Sequence, residues 1–457
     1  MPDNEATKKQ LSASKLQTLW LNFCKFITKV FYRNIEIQGL ENIPENGAVL
    51  LCANHVSALA DAVIIQAVIP RVVHPIVRHG LFDKRLLRPV LNVLQAVPIY
   101  RQQDVPRGSQ FNKDAFSKCY EMFANQEVML IFPEGQSHDD PHLHNIKSGA
   151  SRMALGAKEH NITPSVIPIG INFSQRGKFR SSVFISIGEP IELENKNNDS
   201  SAQHVRHVTQ TIQTSLENVT LNVEDWEEFN FLKRVERFFA MRHAHYRKRN
   251  LAQRFYAWKA LNKAYQELRE FDPDLMKRVN VHLYQFERIC RRCGVRDYHL
   301  TIQYRPLLIL RFILRSVFLV TIILPFGIWG LLTSGIPFYL TRLLSTAFIK
   351  NLNQFDTTKM ALGFSLFVIT WAIQVVFVFS ISDSFTALAY FLSLIAGSLS
   401  TLILIRQREA TWDNIRVFFA FAKRKKLRLY LEYKRKEIEK ELAKIVKQTR
   451  RKQARAN

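Results

Sequence analysis

Cysteine is scarce, at five in 457 residues. That is too few for a disulfide scaffold and suits a reducing compartment. Acidic residues are outnumbered, 39 Asp and Glu against 64 Lys and Arg, which leaves a formal net charge of +25 at pH 7. A charge of that sign calls for an anionic partner: nucleic acid, a phosphorylated substrate or a membrane surface. No nucleic-acid-binding module is legible, so no nucleic-acid partner is expected and the charge is assigned to anionic lipid and to membrane topology. Three stretches lack charge altogether, 316–341, 361–382 and 384–405. Each is as long as the roughly 20 residues that cross a bilayer core. Residues 1–14 are polar, and no signal peptide is expected. What is abundant is hydrophobic: 47% of the chain, with 33 Phe. That excludes wholesale disorder, and the length suggests two or three units.

Five regions follow along the chain. Residues 1–35 hold a basic amphipathic helix, with Leu16, Leu19, Trp20, Phe23, Ile27, Val30 and Phe31 at three- and four-residue steps and Lys25, Lys29 and Arg33 off that stripe. It reads as a helix in the lipid interface, so deleting residues 1–33 is expected to lower activity more than stability. Residues 36–220 alternate short apolar runs (Ala48–Cys52, Val93–Tyr100, Val128–Phe132, Ser165–Ile171, Val183–Ile187) with helical stretches such as Lys113–Ala124 and Gly149–Glu159. That pattern predicts an α/β fold, a mixed, mostly parallel sheet flanked by helices. Residues 221–305 read as a charged helical connector. Residues 306–405 read as the transmembrane region. Pro325, Gly327, Gly330, Gly335 and Pro337 break its first window, which favours four crossings in two hairpins. The tail, 406–457, carries 18 Lys and Arg against 6 Asp and Glu, a net +12 that places it in the cytoplasm.

The chemistry-bearing residues sit in the α/β region. Asn54-His55-Val56-Ser57-Ala58-Leu59-Ala60-Asp61 follows an apolar run. A His at a strand end with a carboxylate a few residues on can act as a general base held in one tautomer by its partner; a strand-end capping His is the bland alternative. Arg101 closes the run Val97-Pro98-Ile99-Tyr100. Phe132-Pro133-Glu134-Gly135-Gln136-Ser137 forces a turn that exposes backbone N–H groups and the Glu134 carboxylate. Lys147-Ser148-Gly149-Ala150 then opens a helix, a place that favours anions. Val166-Ile167-Pro168-Ile169-Gly170 is an apolar strand whose proline suggests an edge or a strand end. Arg78, Arg152 and Arg180 are secondary candidates for anion contact, with a plain surface charge as the alternative for each. Cys290 and Cys293 form a single CxxC, short of the four ligands of a structural zinc site. His138, His142 and His144 cluster without a legible ligand spacing, and no metal is expected.

Together and in this order these segments resemble the four motifs of the glycerolphosphate acyltransferase superfamily. That superfamily carries four residues between its His and Asp; here there are five, Val56 to Ala60. The spacing resembles the yeast-type glycerol-3-phosphate/dihydroxyacetone-phosphate acyltransferases and their bacterial relatives. So do Pro133-Glu134-Gly135-Gln136-Ser137-His138-Asp139, where Gln136 replaces a Gly, Met153-Ala154-Leu155-Gly156-Ala157, Asn172-Phe173, Lys178-Phe179-Arg180-Ser181 and Gly294-Val295-Arg296-Asp297. The resemblance implies direct acyl transfer from a thioester. His55 would be the base and Asp61 its orienting partner. Arg101 would bind the acceptor phosphate with help from Lys147, and Glu134 and Gly135 would shape the acceptor site.

Acyl-CoA or acyl-ACP would be a co-substrate, and no cofactor is expected. The expected partners are a glycerol phosphate acceptor, the acyl donor and anionic membrane lipids. Acylation of glycerol 3-phosphate at sn-1 leads, and acylation of 1-acylglycerol 3-phosphate is the alternative. A non-enzymatic membrane lipid tether is the alternative of another class. The expected location is a bacterial inner membrane with the catalytic region cytoplasmic, or the endoplasmic reticulum in a eukaryote.

Overall fold

The computed structural model describes residues 3–85, 87–100, 112–193, 201–242, 250–293, 295, 306–349, 351–423, 426 and 429–442. The chain divides into two compact units, Met1–Glu224 with Ser345–Phe364, and Asp225–Leu344 with Ser365–Asn457.

The first unit is built on seven strands: β1 (Asn34–Gln38), β2 (Val49–Ala53), β3 (Val73–Arg78), β4 (Val97–Ile99), β5 (Val128–Ile131), β6 (Ser165–Phe173) and β7 (Ser182–Ile187). They form one sheet in the order β1-β7-β6-β2-β5-β3-β4. Every pair is parallel except β6 with β7. The Val-Leu-Leu-Cys-Ala sequence of β2 is buried throughout, as expected of a strand covered on both faces. Its period of two sends Val49, Leu51 and Ala53 into one core and Leu50 and Cys52 into the other.

Helices α1 (Asp3–Phe31) and α2 (Leu59–Val68) cover the first face, through Ile27, Phe31, Ile64 and Ile65. Helices α4 (Lys113–Ala124), α5 (Gly149–Glu159) and α6 (Ser201–Val219) cover the second, through Phe123, Met153 and Ile212. The short α3 (Arg88–Val93) precedes β4.

Several expectations shift. The run Val93–Tyr100 yields a strand only at Val97–Ile99, because Pro89 opens α3 and residues 88–93 are helical. Strand β3 carries Pro75, which reads against a strand in sequence. It is tolerated because β3 pairs with β5 through Pro75 and with β4 only from Ile76 onward. Pro168 likewise lies in an interior strand rather than at an edge; β7 pairs with β6 only from Ile169. Helix α1 divides the stripe expected at the lipid interface. Ile27 and Phe31 turn into the protein with Cys24 and Thr28, while Leu16 and Leu19 of the stripe, and Phe26 beside it, stand 51%, 67% and 56% exposed. Deleting residues 1–33 would strip Ile27, Phe31 and Tyr32 from the core, so the helix belongs to the fold as well as to its surface.

The second unit contains α7 (Trp226–Arg242), α8 (Leu251–Phe271) and α9 (Pro273–Arg292). Phe238 meets Phe286 edge-on, and Arg254 holds Glu236 through two parallel bonds of 2.6 and 2.9 Å. The apolar helices follow: α10 (Pro306–Phe318), a π turn (Leu319–Ile323), α11 (Leu324–Phe348), α12 (Phe355–Ile381) and α13 (Ser384–Lys423).

Three helical segments are long and apolar enough to cross a membrane, Leu310–Ala347, Phe355–Ile381 and Ser384–Ile405. Gly327 and Gly330 of the first window pack rather than break. A Cβ on Gly330 would fall 2.1 Å from the Gly397 carbonyl oxygen, so these two positions let α11 and α13 touch backbone to backbone. Thr401 donates to the Gly327 carbonyl at 2.8 Å, and Trp371 to the Ser334 hydroxyl at 3.0 Å. The π turn lies directly ahead of Pro325, which lacks the N–H a regular turn needs there.

Candidate active site

Four neighbouring strands in the order β2-β5-β3-β4 are parallel, so their carboxyl ends share one edge of the sheet. His55 follows β2, Glu134 follows β5, and Arg78 ends β3. In open α/β sheets this edge is where ligands bind. Arg101 follows β4 in the sequence and lies outside the described residues.

The loop 54–58 is pinned at both ends. Asn54 exchanges two hydrogen bonds with the backbone of Ile171, at 3.2 and 2.7 Å. Asp61, in the first turn of α2, is buried, and one of its oxygens takes three donors: His55 Nδ1–H at 3.0 Å, Val56 N–H at 2.9 Å and Ser57 N–H at 2.7 Å. The five-residue spacing is absorbed by Ala58, which has φ 47 and ψ −129. With Nδ1–H given to Asp61, the imidazole lone pair lies at Nε2, the tautomer a general base requires. The ring is 19% exposed and stacks on Phe132 at 4.1 Å.

Glu134 is only 3% exposed. Its Oε1 accepts the His55 amide N–H at 2.7 Å; its Oε2 faces His138 Nε2 at 2.5 Å and accepts the His144 N–H at 3.0 Å. The carboxylate therefore ties protein loops together. Gly135 adopts φ 75, and a Cβ there would meet Lys147 Nζ at 3.0 Å. The exposed Lys147 thus lies across Gly135, and its amide donates to the Pro133 carbonyl at 2.8 Å. The structure brings His55, Asp61, Glu134, Gly135 and Lys147 into one site.

Arg180 does other work. Its guanidinium donates to the Lys29 and Val30 carbonyls at 3.0 and 3.1 Å, capping the end of α1. Arg152 is exposed on α5.

The acyltransferase family model matches residues 34–172. Glycerol-3-phosphate O-acyltransferases 1 and 2 of Saccharomyces cerevisiae are 30% and 33% identical over 132 and 134 residues. Over residues 34–172 the chain is therefore similar to an acyltransferase domain. The two yeast matches cover 27% and 28% of this chain but only 17% and 18% of those proteins, so the chain spans less than a fifth of the length of these relatives. An uncharacterized acyltransferase of Schizosaccharomyces pombe is 23% identical over 40% of this chain and 27% of its own length. The crystal structure of the 1-acyl-sn-glycerophosphate (LPA) acyltransferase PlsC from Thermotoga maritima aligns with a TM-score of 0.35 and 20% identity, over 46% of this chain and 81% of that one.

Two further parts of the site give no signal in the sequence. Arg176 donates to the carbonyls of Val56 at 3.2 Å, His138 at 3.1 Å and Asp139, joining the His55 loop to the Glu134 loop. Burial lowers its pKa from the ordinary arginine value, against the pull of Asp139 and Asp61. Because it recognises backbone oxygens, no side-chain spacing announces it. The second part is the segment around Asp356, hundreds of residues away in sequence.

Two groups among the described residues could hold a metal ion, Glu134 with His138 and His144, and Asp140 with His142 and His144. In the first, the His138 and His144 rings lie parallel, 8° apart at 3.7 Å. Lone pairs lie in the ring planes, so two stacked rings do not converge on one ion. In the second, His144 Nε2 bonds Asp140 at 2.7 Å and holds that carboxyl below its ordinary pKa.

Proposed function

We propose that the protein is a membrane-bound O-acyltransferase that moves a fatty acyl group from an acyl thioester to the sn-1 hydroxyl of glycerol 3-phosphate. The observation that carries this is the His55–Asp61 pair, with Nδ1 engaged at 3.0 Å by a buried carboxylate and Nε2 left to take a proton.

His55 Nε2 removes the acceptor hydroxyl proton as that oxygen attacks the thioester carbonyl carbon. The tetrahedral oxyanion collapses, the C–S bond breaks, and the thiolate leaves with the proton held on the imidazolium. Asp61 stabilises the imidazolium in between. No step runs through a metal or cofactor. Arg101 and Lys147 are assigned to the acceptor phosphate. Glu134 and Gly135 shape that side of the site by fixing its loops.

The acyl donor and the product are amphipathic, and each exposed CH₂ costs about 0.8 kcal/mol, so transfer at the lipid interface avoids passage of acyl chains through water. The three apolar helices and the exposed Leu19 and Phe26 of α1 support that setting. The acyltransferase unit and the basic tail are assigned to the cytoplasmic side of a bacterial inner membrane, or to the endoplasmic reticulum in a eukaryote, with anionic lipid beneath the basic surfaces.

The test is an acyl-transfer assay on membranes carrying wild type or His55→Ala. Labelled long-chain acyl-CoA or acyl-ACP is supplied with glycerol 3-phosphate, dihydroxyacetone phosphate or 1-acylglycerol 3-phosphate. His55-dependent product with glycerol 3-phosphate is expected. Product only with the 1-acylated acceptor would move the reaction to the second acylation. No His55-dependent product with any acceptor would favour a lipid tether.

A further inference from the structure

Ser57, inside the His55 loop, sits between two buried carboxylates. Its amide donates to Asp61 at 2.7 Å and its hydroxyl to Asp356 Oδ2 at 2.9 Å. Asp356 stands in the first turn of α12 and, like Asp61, is 0% exposed. Tyr32 lies close enough that burial, and then the charges of Asp356 and Asp61, hold its phenol well above the ordinary pKa.

The next residue completes a helix start. An N-cap side-chain oxygen ordinarily accepts the N–H two or three positions into the helix. Helix α2 opens at Ala58, whose methyl group has no oxygen to offer. Thr357 supplies one from elsewhere in the chain: its Oγ1 accepts the Ala60 N–H at 2.9 Å and donates to the Ser57 carbonyl at 3.0 Å. Asn353 Nδ2 reaches the Ser137 carbonyl at 3.0 Å and hydroxyl at 3.1 Å, in the Glu134 turn. Lys359 Nζ donates to the Gly177 carbonyl, one residue past Arg176.

Four side chains between positions 353 and 359 thus hold the His55 loop, the Glu134 turn and the Gly177 backbone beside Arg176. The segment is also held by apolar contacts. Met360 belongs to the core beneath α2, and Phe364 meets Phe23 edge-on at 5.1 Å. Its polar side chains are spent on backbone and hydroxyl groups of the site.

We infer that Asp356 and Thr357 are positioning residues for His55 and Asp61, and that the segment Ser345–Phe364 is a strap that sets the geometry of transfer. This rests on the acyl-transfer reading above. The strap includes the first turns of the apolar helix α12, so the arrangement of the His55 loop depends on a segment that is part of an apolar helix long enough to cross a membrane. A displacement of about 1 Å at a reacting group can lower a rate about 100-fold, and Ala58 leaves the loop strained without an outside hold.

The experiment uses the full chain in membranes, with palmitoyl-CoA and glycerol 3-phosphate, and compares His55→Ala, Thr357→Val, Thr357→Ser, Asp356→Ala and Asp356→Asn. Folded protein is measured by size-exclusion chromatography in detergent, and kcat and KM are normalised to it. Thr357→Val keeps the shape and removes the oxygen. It is expected to lower kcat about 10- to 100-fold with little change in either KM. Thr357→Ser, which keeps the oxygen, recovers most of the loss. Asp356→Asn keeps an acceptor for Ser57 and stays more active than Asp356→Ala.

An inactive His55→Ala beside wild-type kcat in Thr357→Val and Asp356→Ala overturns the strap and leaves acyl transfer standing. So does a loss that Thr357→Ser fails to recover. A fully active His55→Ala overturns the acyl-transfer reading itself, and the strap with it. Should Thr357→Val not accumulate in folded form, Asn353→Ala carries the same comparison through Ser137.

Discussion

Glu134 Oε1 accepts the backbone N–H of His55 at 2.7 Å, so the turn after β5 sets the main chain of the loop after β2. Asp61 holds the same residue by its ring, at 3.0 Å. One carboxylate fixes where His55 stands and the other fixes which nitrogen is free. Neither task can be passed to the other, because Asp61 is committed to three donors from its own loop and Glu134 to donors from two.

Replacing Glu134 therefore harms the fold and the rate together. Glu134→Ala leaves the His55 and His144 amides without their acceptor in a buried place. At about 1–3 kcal/mol for each orphaned donor, a loss of about 2–6 kcal/mol is expected. Glu134→Gln can still accept from His55, but turns an NH₂ toward the His144 N–H, and falls between wild type and Ala. Thermal unfolding of the detergent-purified variants measures the order; equal midpoints for Ala and wild type would remove Glu134 from this role.

Gly135→Ala separates positioning from stability. At φ 75 a Cβ adds about 1–2 kcal/mol of backbone strain. It also pushes Lys147 from its place, since Nζ lies 3.0 Å from where the Cβ would stand. The expected result is a KM for glycerol 3-phosphate raised about tenfold, near 1.4 kcal/mol, and a smaller change in KM for the acyl donor. A change confined to the donor would show that Lys147 does not serve the phosphate.

What was legible in the sequence was whatever announces itself locally. His55 and Asp61 stand beside an apolar run, Pro133-Glu134-Gly135 is a forced turn, and the charge-free windows need only be read for length. Helices Lys113–Ala124 and Gly149–Glu159 appear with the bounds their periodicity predicts. Strand β3 was hidden by His74 and Pro75, which are tolerated only because β4 is short. Arg176 and Thr357 act on backbone atoms, 120 and 300 residues away in sequence, a relation that no spacing encodes. Helix α1 shows the limit of periodicity: its pattern is amphipathic, but which side meets the protein depends on where Ile64 and Ile65 stand.

Thiol reactivity tests the core. Burial pushes the Cys24, Cys52 and Cys119 thiols up to about 12. At pH 8 about one in ten thousand of each would be thiolate, the reactive form. Cys290 is buried and Cys293 is half-exposed. Native protein treated with a maleimide at pH 8 should show one fast thiol, lost in Cys293→Ser, and five after denaturation. The linkage has a definite sign. The folded pKa lies above the unfolded one, so this stabilisation is complete below about pH 9 and is lost as pH rises toward 12. Fast native labelling at Cys52 would contradict the packing of β2.

The outer side of α1 carries the last prediction. Leu19 and Phe26 are 67% and 56% exposed, and Lys15, Lys25 and Lys29 are exposed on the same helix. Apolar side chains interleaved with lysines in this way suit the headgroup boundary of a bilayer. The opposite side is pinned by Ile27 and Phe31 in the core, so point changes on the outer side leave the fold intact where deletion would not. Leu19→Gln with Phe26→Gln should keep the unfolding free energy within about 0.5 kcal/mol of wild type, the usual range for surface changes. Activity with a long-chain acyl-CoA should fall, and activity with a short, water-soluble acyl-CoA should hold. A bimane label on Phe26→Cys should be quenched by brominated lipid, and one on Glu41→Cys should not. Equal quenching at both positions, or equal losses with both donors, would show that α1 meets water there and that the long acyl chain reaches His55 by another side of the unit.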